Sequence, residues 1–215
     1  MPKIPRTFLF DLDGTLIDHF TAIHRSYVHT LGQLGLPTPT ITQVRNVVGG
    51  GQENSMRRLV GEAATPRALE IYRAYWDQTM LDDVVLLPGA RELLAALQAR
   101  GAVLGVLTNK LGSSSRLICD HLGITPFLRA VVGAQDTAWL KPQPEFIAHT
   151  LALLGAPVDG AVMIGDSPYD IEAAHNGGLP AWCVTTGTHD AEQLRAARAD
   201  EIYPNLDGIR TALGL

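Results

Sequence analysis

Apolar residues in the second half of the chain fall into short solid runs, separated by stretches where they recur every three or four positions. The solid runs are AVLGVLTN (102–109), RAVVGAQD (129–136), AVMIGD (161–166) and AWCVTTG (181–187). Their length and aliphatic content predict strands buried on both faces. Between them, PGARELLAALQARG (88–101), SSSRLICDHLG (113–123), PEFIAHTLALLG (144–155) and SPYDIEAAHNGG (167–178) carry helical spacing. Pro88 near the start and Gly101 just past the end punctuate the first of these helices. Two further short helices are expected near 190–198 and 205–213, and a first strand near 7–12. This β-α-β-α order predicts a parallel sheet with helices on both faces, a doubly wound, Rossmann-like α/β core.

Residues 18–85 break that rhythm. FTAIHRSYVHTLGQLG (20–35), ITQVRNVV (41–48), QENSMRRLVG (52–61) and TPRALEIYRAYWDQTM (65–80) all show helical patterning, with no strand between them. A helical block placed after the first strand predicts a small inserted cap over 18–85, with the core formed by 1–17 and 86–215. The chain resumes its sheet rhythm at Leu86. The triplet Gly49-Gly50-Gly51 reads as a turn before a helix, because it lacks the Lys-Ser/Thr ending of a nucleotide-binding P-loop.

Composition narrows the function classes. A chain of 215 residues with 46% hydrophobic and 18% charged residues can bury a full core. The net charge of −5 and pI near 5.8 argue against nucleic acid as a partner. No apolar run approaches the roughly 20 residues that span a bilayer. The apolar stretch in MPKIPRTFLFDLD is too short for a signal peptide and ends on acids. Cys119 and Cys183 lie in apolar patterns and read as buried thiols. The default expectation is a cytoplasmic protein without a membrane partner.

In open parallel sheets, ligands bind beyond the carboxyl ends of the strands, so the residues at those ends carry the chemistry. FLFDLDGTL (8–16) ends its strand on Asp11 and Asp13. The next strand ends on Thr108 and Asn109, and AVMIGD ends on Asp166, with Asp170 one helical turn further on. Lys141 follows the 129–136 run. Each residue alone has a plain structural explanation as a turn, cap or surface residue. Gathered in one crevice, the carboxylates would repel one another, and a divalent cation resolves that conflict. A ligand set of hard oxygens suits Mg²⁺. Thr108, Lys141 and free backbone N–H groups after Asp11 could hold phosphate oxygens. Metal, phosphate donors and an available carboxylate together point to phosphoryl transfer.

DLDGT, TN after an apolar strand, KP and GDSPYD occur in the order and context of the haloacid dehalogenase (HAD) superfamily, which the chain resembles over nearly its whole length. LPGARELLAALQARG, LTNK and GDSPYDIEAAHNGG look more narrowly like its phosphoglycolate phosphatase group. The resemblance implies a Mg²⁺-dependent phosphomonoester hydrolase of a small phosphorylated metabolite. Asp11 would be the nucleophile that forms an aspartyl-phosphate, and Asp13 the acid and base. A carboxylate oxygen of Asp11, the backbone carbonyl of Asp13 and Asp166 would hold the metal. Thr108, with Asn109 beside it, would bind the phosphoryl group. Lys141 would neutralise charge on nucleophile and phosphate, and Asp170 would orient the Lys141 or metal environment. Dehalogenase members lack an acid at the position of Asp13, so its presence favours phosphate chemistry.

The chain departs from the group's usual TLxDS in TLIDHF. His19 there either lines the substrate pocket or starts a helix at a hinge. Arg57, with Arg58, could meet a substrate carboxylate or sit on a solvated face. His19, His24 and His29 recur every five residues, which turns each by about 140° on a helix and does not make one face. Trp76 and Trp139 are expected to be packing residues. Rival readings within the superfamily are a pyrophosphatase and a sugar-phosphate mutase. Mutases tend to carry a histidine at the position of Ile23, where this chain has none. A phospho-Asp signalling switch is the rival from another class.

Overall fold

Three consecutive large apolar residues, Phe8-Leu9-Phe10, need cover on two sides, because alternate side chains of a strand point to opposite faces. In the computed structural model, which describes residues 4–215, β1 (Thr7–Phe10) is fully buried at the middle of a six-stranded parallel sheet. The strand order is β5 (Ala130–Ala134), β4 (Val103–Leu111), β1, β6 (Ala161–Gly165), β7 (Ala181–Val184) and β8 (Glu201–Tyr203). Phe8 and Phe10 join one apolar cluster with Leu104, Val106, Val162 and Ile164. Leu9 joins the other with Leu107, Ala161 and Met163.

Helices α5 (Ala90–Ala99), α6 (Gly112–His121) and α10 (Leu206–Ala212) contribute to the first cluster. The second cluster is closed by α7 (Pro144–Leu154), α8 (Pro168–Asn176) and α9 (Ala191–Ala196). The fold is therefore the doubly wound α/β core that the alternating pattern predicts. From β1 the chain runs to β4 and β5 on one side, then returns to β6, β7 and β8 on the other. The carboxyl ends of β1, β4 and β6 thus meet where the direction of winding reverses, the position at which such sheets bind ligands.

Between β2 (Ile17–Asp18) and β3 (Val85–Leu86) stand four helices, α1 (Phe20–Gln33), α2 (Ile41–Arg45), α3 (Gln52–Val60) and α4 (Thr65–Thr79). β2 and β3 pair antiparallel as a two-residue ribbon separate from the main sheet, so the chain leaves and rejoins the core at neighbouring points. α2 starts on a capping box between Thr40 and Gln43. Tyr27, Met56, Tyr72 and Trp76 of the insert belong to the same apolar cluster as Phe8 and Phe10.

Four details differ from the sequence pattern. Strand β1 stops at Phe10 rather than near 12, because Leu12 to Leu16 fold into a turn in which the Leu12 carbonyl accepts from the N–H groups of Leu16 and Ile17. β4 continues to Leu111, two residues beyond Asn109. β7 ends at Val184, freeing Thr185-Thr186-Gly187 as a loop. β8 lies between the two last helices, where only helices were expected; its three residues at the sheet edge carry no buried apolar run that would announce a strand. Residues 1–3 of the expected core segment lie outside the described residues. Cys119 and Cys183 are buried and unpaired. No helix among the described residues is long and apolar enough to cross a membrane.

Candidate active site

The turn after β1 brings its two acids into the crevice. Gly14, at φ +82°, closes that turn, and a Cβ there would lie 2.9 Å from an Asp166 oxygen. Asp11 leaves β1 with its N–H bonded to the carbonyl of Ile164, which ties it to the end of β6. Asp166 follows β6 directly. Thr188 holds its Oδ2 through backbone N–H at 2.8 Å and hydroxyl at 2.9 Å, and the Thr15 hydroxyl reaches Oδ1 at 3.3 Å.

Asp170 sits on the first turn of α8 and serves two neighbours at once. Its Oδ2 accepts from the Ser167 N–H and hydroxyl and from the Asp166 N–H, which fixes the loop that carries Asp166. Its Oδ1 accepts from the Lys141 ammonium at 2.7 Å. Lys141 in turn stands 2.8 Å from Asp11 Oδ1. The lysine is thus held between two carboxylates in a buried pocket. The contact with Asp11 is an ion pair of hydrogen-bond length, and Asp11 Oδ1 takes up no other protein donor.

One carboxylate oxygen each from Asp11, Asp166 and Asp170 lies within 4.8 Å of the other two. The electrostatics of this cluster are unfavourable by themselves. Burial and the neighbouring Asp170 and Asp11 push Asp166 up to about 8. Burial also raises Asp11, to about 6, against the opposing pull of Lys141. The two carboxylates raise Lys141 although burial acts to lower it. Three buried carboxylates this close together, two of them resisting ionisation, form a donor set that a bound cation would stabilise. A small hard cation such as Mg²⁺ fits this donor set. Asp11 and Asp166 line the cleft and face it with their carboxylates, whereas Asp170 lies behind them with its oxygens on Lys141, Ser167 and the Asp166 N–H.

Asp13 faces a different environment. The Lys110 ammonium contacts both its oxygens, at 2.9 and 3.2 Å. Burial acts to raise the Asp13 carboxyl, but Lys110 and His19 together outweigh it and hold the group well below the usual carboxylate range. His19 lies behind, fully buried. Its Nε2 donates to the Met80 carbonyl at 2.6 Å, and its Nδ1 is 3.6 Å from Asp13, too long for a hydrogen bond. His19 therefore sits at the hinge under the insert, shielded from the cleft by Trp76, whose ring centroid is 4.8 Å away.

Thr108 and Asn109 stand near the end of β4, before its final pair Lys110-Leu111, both buried. Thr108 lines the cleft. Asn109 binds the backbone of Lys141 in both directions and also donates to the carbonyl of Gly49 in the insert at 2.9 Å. The insert supplies the opposite wall through Ile23, Tyr27, Tyr72, Trp76 and the 48–52 loop. The cavity is about 80 Å³, small beside the several hundred of a drug-sized pocket.

The structure brings Asp11, Asp13, Thr108, Asn109, Lys141, Asp166 and Asp170 together. Arg57 does not join them: it is ion-paired with Glu53 and Glu62 on the outer side of α3, where nearby acids offer it partners without loss of hydration. Trp76 lines the cleft as well as packing, while Trp139 packs against the second core cluster and the His149 ring. Sequence reasoning passed over Lys110 and Thr188. Lys110 stood next to a recognised pair. Thr188 lies in a loop whose closeness to Asp166 follows only from the β6–β7 pairing.

A family model described as haloacid dehalogenase-like hydrolase matches residues 8–184. The chain is 34% identical over 205 residues to a phosphoglycolate phosphatase of Caulobacter vibrioides, covering 90% of this chain and 84% of that one. It is 32% identical over 222 residues to a phosphoglycolate phosphatase of Rhodospirillum rubrum, covering 98% and 92%. The fold also matches the crystal structure of a predicted phosphoglycolate phosphatase of Haemophilus somnus, with a TM-score of 0.92 at 24% identity and 99% of each chain covered. With its doubly wound core, its helical insert and this family match across most of its sequence, the chain belongs to the haloacid dehalogenase-like hydrolases.

Proposed function

We propose that the protein is a Mg²⁺-dependent phosphatase of a small phosphorylated metabolite, with phosphoglycolate the first candidate substrate. The observation that carries this reading is that the cleft lined by Asp11, Asp166 and Thr108 has Lys141 buried directly against Asp11. Asp11, the backbone carbonyl of Asp13 and Asp166 would hold the metal, which when bound supplies positive charge against the approach of two anions.

The Asp11 carboxylate attacks phosphorus and the ester oxygen leaves, so that an acyl phosphate forms on Asp11. Lys141, already against Asp11, offsets the negative charge of both reactants. Thr108 accepts from the Lys110 N–H at 3.2 Å and has its own O–H to give a phosphoryl oxygen. Asp13 gives the leaving oxygen its proton and then takes one from the water that hydrolyses the acyl phosphate. Contact with Lys110 keeps Asp13 in the ionised, base form. Proton delivery to the leaving group therefore needs Lys110 to move away from it. Asp170 and Asn109 position Lys141, and the insert acts as a cap that keeps bulk water from the acyl phosphate.

The names of the relatives and the small cavity support a short substrate. The test is phosphate release from a panel of phosphorylated metabolites, phosphoglycolate included, with and without Mg²⁺. Metal-dependent turnover of small phosphomonoesters is expected. Cleavage of pyrophosphate alone would overturn the substrate class.

A further inference from the structure

Lys110 lines the cleft yet has no part in attacking the phosphate. It extends β4 two residues past Thr108, so its ammonium stands on the wall that continues from the phosphate donors. The ammonium rests 4.5 Å above the centroid of the Trp76 ring and pairs with Asp13; both side chains of that pair are about nine-tenths buried. Other cations near the cleft are committed elsewhere. Lys141 is held between Asp11 and Asp170. Arg57 pairs with Glu53 and Glu62, and Arg45 lies over the ring of Phe20. Among the described residues lining the cavity, Lys110 is the one cation.

The wall facing it is aromatic, formed by Tyr27, Tyr72 and Trp76. A charge–charge contact beside such a wall is poorly screened and correspondingly strong. One ammonium matches one singly charged group, and the cavity leaves room for only a few atoms beyond a phosphate. We infer that Lys110 is a specificity-determining residue that binds a carboxylate carried by the substrate a few bonds from its phosphate. It exchanges its contact with Asp13 for the ligand's carboxylate while keeping its place on Trp76. This inference rests on the phosphatase reading and names the second group that the site recognises.

The test compares 2-phosphoglycolate with ethyl phosphate, which lacks the carboxylate, in the full-length wild type and in Lys110→Met. The wild type is expected to prefer 2-phosphoglycolate at least tenfold in kcat/KM. Lys110→Met should reduce that preference about 10- to 100-fold, the usual effect of losing a charge-assisted hydrogen bond, with the loss mainly in KM for 2-phosphoglycolate. A lysine that acted only through Asp13 would slow both substrates alike; an unchanged preference in Lys110→Met therefore overturns the inference and leaves the phosphatase reading intact. So does a wild type without preference for the carboxylate. Lys110→Gln serves the same comparison should Lys110→Met not fold. Turnover by the wild type of neither ester nor any other member of the phosphometabolite panel would remove the phosphatase reading instead. Calorimetric binding of 2-phosphoglycolate to Asp11→Asn with and without Lys110→Met then decides separately: tenfold weaker binding supports the role of Lys110, and equal binding ends it.

Discussion

Asn109 grips the backbone of Lys141 on both sides of its Cα: Oδ1 accepts from the Lys141 N–H at 2.8 Å, and Nδ2 donates to the Lys141 carbonyl at 3.1 Å. The same Nδ2 donates to the Gly49 carbonyl of the helical insert at 2.9 Å. One buried amide thus fixes the lysine beside Asp11 and ties the insert to the core. Asn109→Ala leaves buried backbone groups of Lys141 without partners, which costs about 1–3 kcal/mol. Activity should fall 10-fold or more, with kcat affected because Lys141 is mispositioned. Steady-state kinetics beside thermal denaturation checks this; a stability loss with unchanged kcat would show that Lys141 needs no such grip.

Asp11→Asn removes the proposed nucleophile while keeping its shape. Turnover should drop by about three orders of magnitude or more. The same change removes one charge from a buried acidic cluster, so the metal-free variant should melt at the same temperature as the wild type or higher. The two readouts move in opposite directions, which separates a chemical role from a structural one. Assays with an activated aryl phosphate and a melting curve in chelator suffice, and near-normal turnover would sink the nucleophile assignment.

The raised carboxyls predict a pH dependence of the metal-free protein. Asp11 and Asp166 have folded-state values near 6 and 8, above the ordinary 3.8 of the unfolded chain. Their contribution to stability is therefore fully present below about pH 4 and is lost as pH rises through 6 and towards 8. Between pH 5 and pH 9 the melting temperature in chelator should fall on account of these groups. Saturating Mg²⁺ should flatten that fall, because binding favours the ionised carboxylates, and its affinity should weaken as pH drops. Melting curves across this range, with and without Mg²⁺, test it; identical pH profiles would argue against a cation at these acids.

The core of this site was legible in the sequence because each acid or donor closes an apolar strand, and parallel sheets collect strand ends at one edge. Asp11, Thr108 and Asp166 needed only that rule. Lys141 and Asp170 were legible as a motif, though not the ion pair between them. The insert resisted reading. Arg57 looked like a ligand because its position follows the glycine triplet, but its orientation depends on the phase of α3 and on Glu53 and Glu62 nearby. His19 was open between pocket and hinge, and the Met80 carbonyl, 61 residues away, is what draws it under the insert. The edge strand β8 was missed because it is short and half-exposed, and its pairing with β7 is set by tertiary position rather than by pattern.

Gly187 tests whether the backbone around Asp166 is shaped for the metal. A Cβ there would fall 2.0 Å from Asp166 Oδ2, the oxygen that Thr188 holds. Gly187→Ala must push that carboxylate aside or break its two bonds to Thr188. The fold should survive, since the loop lies at the end of β7 outside both apolar clusters. Outer groups that orient a ligand typically change metal affinity 10- to 100-fold, and a loss in that range is expected for Mg²⁺. Metal titration followed by melting temperature gives the affinity without reference to turnover. Unchanged affinity in Gly187→Ala would mean that Asp166 can move freely, and the geometry drawn by Thr188 and Thr15 would then matter little to the site.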